Sequence, residues 1–311
     1  MAMCERFMIS SGSGQRLDAR LWTPEGKPRA VVQLVHGMGE HIGRYDDLAA
    51  ALNAAGIAAA GHTQLGHGSK APIRGYLADR GGWRHLVEDV HRLRGVIQER
   101  YPDVPYFLLG QGMGGLVVRC CLAKHGEGLR GAVLLGQGVP SARTLTLGRI
   151  IAGINCCLGG RRKPSETLEQ LAFGWCGKPF QPLRTDYDWL SRDSVQVDRF
   201  MGDEYCSLTM TSGGYRDVLR GIRCAEEAQT LQHTPKMLPM LFLSGDHDPL
   251  GGMGQAVEAL AQRYRNAGCQ QVEVRLYPDS RHDVLHESDR AKVFRDVIIF
   301  VDECCNRGLR G

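Results

Sequence analysis

Compact apolar runs recur along this chain, most of them bounded by glycine or histidine: Ala30–Val35, Ile57–Ala60, Tyr106–Leu109, Gly131–Leu135, Met240–Leu243 and Val272–Tyr277. Between most of them the apolar residues switch to three- and four-residue steps. Trp83, Leu86, Val87, Val90, Leu93 and Ile97 form one such stripe. Val257, Leu260, Ala261 and Tyr264 form another, with Gly268 placed to end it, and Val293, Val297 and Val301 mark a last helix. Strands rich in Val and Leu that alternate with amphipathic helices require a mostly parallel sheet covered on both faces. Two further strand-like pieces, Glu5–Ser10 and Arg16–Trp22, flank Ser11-Gly12-Ser13-Gly14 and read as a hairpin. The expected fold is α/β, an eight-stranded, mostly parallel sheet flanked by helices.

The rhythm stops between about Pro140 and Leu238. Helix-like pieces take over there, at Thr144–Leu158, Ser165–Trp175 and Ser194–Met201, punctuated by Lys178-Pro179 and Gln181-Pro182. Such a stretch between two core strands reads as a helical cap over the sheet's edge. The expected organisation is a core of residues 1–139 and 239–311 with a cap at 140–238. No repeat or low-complexity linker interrupts it.

Composition narrows the function classes. Apolar residues make up 43% and charged residues 23%, as in an ordinary globular protein. Lys and Arg exceed Asp and Glu by 38 − 34 = 4, evenly spread, which gives no reason to expect nucleic acid or an anionic membrane as partner. No apolar run approaches the length of a membrane span, and Met1–Ser10 lacks the basic and apolar segments of a signal peptide. A soluble, cytoplasmic protein is expected. The 11 cysteines include the adjacent pairs Cys120–Cys121, Cys156–Cys157 and Cys304–Cys305, but no C-x-x-C spacing. They read as free thiols in a reducing compartment, several of them small core hydrophobes, with no zinc site.

In open α/β sheets ligands bind beyond the carboxyl ends of the strands. Four such tips carry chemistry here. Ala30–Val35 is followed by His36-Gly37-Met38-Gly39-Glu40-His41, a glycine-flanked turn able to aim a backbone N–H into a cleft. Tyr106–Leu109 is followed by Gly110-Gln111-Gly112-Met113-Gly114-Gly115, whose small alternate residues permit a tight strand–turn–helix with its apex at the helix N-terminus. Met240–Leu243 leads to Gly245-Asp246-His247-Asp248-Pro249, and Val272–Tyr277 leads to Pro278-Asp279-Ser280-Arg281-His282-Asp283. Elbow, acid and histidine in that chain order is the α/β-hydrolase arrangement.

The phrase His36–His41 with Gly43-Arg44-Tyr45, then Gly66-His67-Gly68, then Phe107-Leu108-Leu109-Gly110 and an elbow ending Met113-Gly114-Gly115 resembles the monoacylglycerol lipase/lysophospholipase group of α/β-hydrolases. That group is also catalogued as serine aminopeptidase-like. The similarity runs from Ala30 through Val301 and includes Thr185–Asp193 in the cap. It implies a Ser–Asp–His triad, no metal or other cofactor, and a capped apolar pocket for a small apolar or acyl-chain ligand. Carried over by position, Asp248 is the triad acid, His282 the base, and Met38 and Met113 supply the oxyanion-hole N–H groups. The nucleophile position is Gly112, which cannot attack a carbonyl. Two departures accompany it: Gln111 where the group usually has histidine, and Thr63-Gln64-Leu65 where it usually has Asp-His-Arg.

Substitutes for the nucleophile are poor. Cys120 and Cys121 lie two helical turns past the apex, about 12 Å away at about 1.5 Å per residue. Ser69 and Ser244 sit on no elbow and read as structural. His36, His41, His67 and His85 read as turn or surface histidines. Asp246-His247-Asp248 occupies one turn and does not converge on an ion. Arg161-Arg162-Lys163 reads as solvated, and Leu168, Leu171, Phe173 and Trp175 as core, some of them lining a pocket by analogy with the group. The main reading is a non-catalytic, ligand-binding hydrolase scaffold that retains Asp248 and His282. The alternatives are a carboxylic-ester serine hydrolase whose serine has been replaced, and a weak hydrolase that uses water.

Overall fold

The computed structural model describes residues 3–138 and 141–307. Eight strands form one sheet: β1 (Met3–Ser10), β2 (Arg16–Thr23), β3 (Ala30–Val35), β4 (Ile57–His62), β5 (Tyr106–Gln111), β6 (Gly131–Leu135), β7 (Met240–Gly245) and β8 (Val272–Tyr277). Their order is β1-β2-β4-β3-β5-β6-β7-β8. β1 and β2 pair antiparallel, as does β2 with β4, and every other pair is parallel.

Every residue of β3 through β7 is buried. Period-two geometry sends alternate residues to opposite faces. Val31, Leu108 and Phe242 pack on one side with α2 (Gly82–Arg100), α3 (Met113–His125) and α9 (Gln255–Asn266). Val32, Phe107, Leu109 and Leu243 pack on the other with α1 (Asp46–Ala54) and α10 (Arg290–Arg307). The stripes expected from spacing in α2, α9 and α10 are the residues that face the sheet. Gln33 is a fully buried polar residue of β3; it donates to Val90 O at 2.9 Å and accepts from Tyr106 Oη at 2.7 Å. Its burial therefore leaves no hydrogen-bonding demand unmet.

The last strand departs from the expected pattern. β8 is the sheet's edge, and of its residues only Tyr277 is buried. Glu273 and Arg275 on it pair at 2.6 Å, charges of the kind that blunt an edge against further pairing.

Between β6 and β7 the chain is helical: α4 (Ala142–Asn155), α5 (Glu166–Phe173), α6 (Ser194–Gly202), α7 (Ser212–Glu226) and α8 (Ala228–His233). The 139/140 boundary expected for this segment lies outside the described residues. α7 is not among the helix-like pieces suggested by the sequence, because Gly213-Gly214 disguises its first turn. Thr211 caps it by accepting the Gly214 N–H. Leu168, Tyr215, Val218, Ile222 and Leu231 of this segment belong to the same apolar cluster as α2, α3 and the sheet. The insertion therefore shares the main core rather than building a second one. No helix among the described residues is long and apolar enough to cross a membrane, and all 11 cysteines are free thiols.

Candidate active site

The elbow is built by close backbone packing. β5 ends at Gln111, Gly112 takes φ 51° and ψ −115°, and α3 begins at Met113. A positive φ of this kind disfavours any residue with a Cβ. A Cβ on Gly114 would come within 2.0 Å of Val35 O, so the helix can approach β3 only with glycine there. Gly112 N–H donates to Leu135 O at 3.0 Å, which ties the apex to β6.

Asp248 and His282 come from the tips of β7 and β8. His282 Nδ1 lies 3.1 and 3.0 Å from the two oxygens of the fully buried Asp248 carboxylate. Ser244 Oγ donates to the same carboxylate at 3.3 Å and Leu250 N–H at 2.9 Å, so its orientation is set from behind. With Nδ1–H given to Asp248, Nε2 faces the elbow. An ideal Cβ on Gly112 would sit 3.4 Å from Nε2 and 3.9 Å from Cε1, and beyond its chain neighbours meets nothing else within 4 Å among the described residues. Burial pushes the His282 pKa down. The charge and hydrogen bond of Asp248, helped by Asp283 and Glu40, outweigh that and hold it above an ordinary imidazole.

The loop after β3 is pinned residue by residue. Gly37 N–H donates to Glu40 Oε1 at 2.5 Å, and Gly39 N–H donates to His67 Nε2 at 3.2 Å. Met38 N–H between them, and Met113 N–H opening α3, make no hydrogen bond among the described residues. The Glu40 carboxylate also accepts from Arg44 at 2.5 Å and Tyr45 Oη at 2.9 Å, and Arg44 reaches Asp283 at 3.1 Å. Asp283 is held well below the usual carboxylate range: its burial works against this, but His286 and Arg44 prevail.

His36 and His67, expected as turn or surface residues, are both buried, and His67 closes a turn by donating its N–H to Gln64 O at 3.1 Å. Each donates from Nδ1 to a backbone carbonyl, Gly37 O at 2.8 Å and Leu65 O at 2.9 Å. His36 Nε2 accepts the Gln64 N–H at 2.8 Å. Burial, with the neighbouring His67, pushes His36 well below an ordinary imidazole, so it stays neutral as a two-ended strut. Gln64 adds a bond of its own, donating to His36 O at 2.6 Å.

Met38, Gly112, Met113 and His282 line one cavity of about 480 Å³, within the range of ligand pockets. Leu168, Leu171, Phe173 and Trp175, read from sequence as core, all line it as well. Trp189 tilts over the His282 ring at 5.3 Å between centroids and stacks on Phe173 at 5.6 Å. The stretch 185–193 is latched to the histidine loop: Asp283 N–H donates to Leu190 O at 2.8 Å, and Arg192 pairs with Glu287 at 3.2 Å. Cys120, Cys121 and Ser69 lie outside the cavity lining, and Ser244 stands behind Asp248. The contribution of Glu40, Arg44 and Asp283 to the site was visible in sequence only as part of the His36–Tyr45 phrase and as the neighbour of His282.

A model of the family described as serine aminopeptidase, S33, matches residues 26–289. The chain belongs to the serine aminopeptidase S33 family. Among relatives of this S33 chain, the monoglyceride lipase of Mus musculus is 30% identical over 90% of this chain and 87% of that protein. The monoacylglycerol lipase of Mycolicibacterium smegmatis is 27% identical over 93% of each. In structure, a thermostable carboxyl esterase from Bacillus coagulans, solved with glycerol, superposes with a TM-score of 0.91 at 28% identity, covering 97% of this chain and 99% of that one. These likenesses place the eight-stranded sheet and its flanking helices in the α/β-hydrolase fold.

One triplet outside the cavity has metal-ligand residue types. Single ligand atoms of His41, Asp203 and Cys206 lie within 4.8 Å of one another. His41 Nδ1, however, accepts the Gly43 N–H at 3.1 Å, which leaves the proton on Nε2, given to Asp203 at 2.9 Å. A metal at Nε2 requires the opposite tautomer, so the pair is a hydrogen bond rather than a site.

Proposed function

We propose that this S33 chain binds a small acyl-chain ester of the monoacylglycerol or lysophospholipid type, with its ester group at the elbow, and does not form an acyl-enzyme. The observation that carries this reading is Gly112, whose Cβ position opens 3.4 Å from His282 Nε2. A serine placed there would meet its base; glycine supplies no oxygen to attack with. In this reading Asp248 and His282 are the retained acid and base, Met38 and Met113 N–H groups receive the carbonyl oxygen, and residues 140–238 act as the cap over the acyl chain. The apolar cavity wall, with Leu145, Leu171, Val218 and Ile222 among it, supports an alkyl chain as ligand. The names of the relatives support the monoacyl ester class. The free thiols support a cytoplasmic setting. The reading uses only the chain's own residues and calls on no metal or cofactor.

A non-cleavable ether analogue, a 2-O-alkylglycerol, tests binding by calorimetry, and a fluorophosphonate probe tests the nucleophile. The unmodified chain is expected to bind the ether and to escape labelling, while Gly112→Ser is labelled. Labelling of the unmodified chain, or no uptake of the ether, overturns the reading.

A further inference from the structure

We propose that this chain catalyses acyl migration between neighbouring hydroxyls of a bound monoacylated vicinal diol, converting a 2-monoacylglycerol to its 1-isomer, with the substrate's own free hydroxyl standing where an enzyme hydroxyl would. This rests on the monoacyl-ester reading above and adds a reaction to it.

The site holds a base, its orienting acid and candidate oxyanion donors, and it has room for one more group between them. His282 Nε2 is turned toward residue 112 because Nδ1–H is committed to Asp248. Around the Gly112 Cβ position, Gly112 itself and its chain neighbours apart, the only heavy atoms of the described residues within 4 Å are His282 Nε2 and Cε1. Gly112 and His282 line the same cavity, so a substrate hydroxyl resting against Gly112 Cα, outside the place a bonded Cβ would take, has Nε2 within hydrogen-bonding reach. Met38 N–H makes no hydrogen bond among the described residues, while its neighbours Gly37 and Gly39 are bonded to Glu40 and His67, and Met113 N–H opens α3. Both residues line the same cavity as His282.

A 2-monoacylglycerol carries a hydroxyl on the carbon next to its ester, and that hydroxyl reaches the acyl carbon through a five-membered ring. His282 Nε2 takes the hydroxyl proton as the oxygen bonds to the acyl carbon, and the carbonyl π electrons move to its oxygen. Met38 and Met113 N–H groups stabilise that oxyanion. Asp248 stabilises the imidazolium. Collapse restores the carbonyl and breaks the bond to the C2 oxygen, which takes the proton back from His282. One C–O bond forms and one breaks. No water is consumed and no co-reactant is needed.

Water is the competitor, and an intramolecular hydroxyl outpaces it. Well-oriented neighbouring groups act at effective molarities of about 10⁵–10⁸ M, which bulk water cannot match. Trp189 against the imidazole, backed by Phe173, covers the base on the side of the inserted helices. The less hindered primary ester is the product side, so the reaction runs without a driving partner.

The full chain is incubated with 2-oleoylglycerol, and the isomers and free oleate are followed by chromatography. The expected result is isomerisation roughly 10²-fold above the spontaneous rate at the same pH, with little oleate. His282→Ala and His282→Gln are expected to fall to the spontaneous rate while unfolding in urea as cooperatively as the parent, which shows that they fold. Gly112→Ser, filling the hydroxyl's place, is expected to lose isomerisation and release oleate. Isomerisation that survives at full rate in Gly112→Ser overturns the placement of the hydroxyl. If the ether binds but the isomers change only at the spontaneous rate, or oleate forms faster than the 1-isomer, acyl migration is overturned and the binding reading stands. If the ether does not bind, both fall.

Discussion

Asp248 and His282, 34 residues apart in the chain, meet with both carboxylate oxygens within 3.1 Å of one ring nitrogen. The pair is buried, and its geometry fixes the tautomer that aims Nε2 at the elbow. The same contact sets the proton affinity of the ring, because it opposes a desolvation that acts in the other direction.

Asp248→Asn removes the charge and leaves burial to act on the imidazole. The titration midpoint of the His282 ring, followed by proton NMR of its Cε1–H, is expected to drop from above 6.5 to below it. Asp283 and Glu40, the remaining acids near the ring, soften the drop without reversing it. An unmoved midpoint would show that Asp248 does not govern the ring.

Gly112→Ser is expected to lower stability by about 1 kcal/mol in urea unfolding. A side chain at positive φ costs about 1–3 kcal/mol, and the smaller unfolded-state entropy of serine offsets part of it. A serine variant as stable as the parent would mean that the elbow relaxes around the new side chain.

His62 is buried in β4 and neither ring nitrogen has a partner among the described residues. Burial lowers its pKa to about 4. The unfolded chain therefore binds a proton below about pH 6.5 that the folded chain refuses until about pH 4, so stability falls as pH drops through that window. His62 alone accounts for about 2 kcal/mol of loss at pH 5. His62→Phe is expected to flatten this part of the stability curve by that amount, read as the change in unfolding free energy between pH 7 and pH 5. An unchanged slope would assign the acid sensitivity to other groups, His36 and His67 first.

Arg44 bridges Glu40 and Asp283, and all three are nearly buried. Arg44→Ala leaves two carboxylates without their cation and is expected to cost about 3–5 kcal/mol in chemical unfolding. Glu40 anchors the Gly37 N–H, so binding of the 2-O-alkylglycerol ether is expected to weaken as well. A loss confined to stability would separate this network from the site.

Local spacing carried the α/β class, the six parallel strands and the tips that bear Asp248, His282, Gly112 and Met38. A strand's burial and a helix's stripe repeat every two or four residues, so they are written within reach of one another along the chain. The edge position of β8 was hidden, because a run such as Val-Glu-Val-Arg-Leu-Tyr fits a strand wherever it sits, and its neighbours decide what its charges do. α7 was hidden because glycines start it, and its packing on the core, not its propensity, makes it a helix.

What the chain determined alone is the order of its strands and the residue types at each strand tip, Gly112 among them. Only the tertiary structure decided how those types are used. It buried His36 and His67 as neutral struts for the loop after β3. It left the His62 ring nitrogens without a hydrogen-bond partner among the described residues and joined Arg44 to Asp283 across 239 residues. It also brought the inserted helices down to wall the cavity beside His282. Each of these is set by desolvation or by a partner distant in sequence, and neither quantity exists until the chain has closed around it.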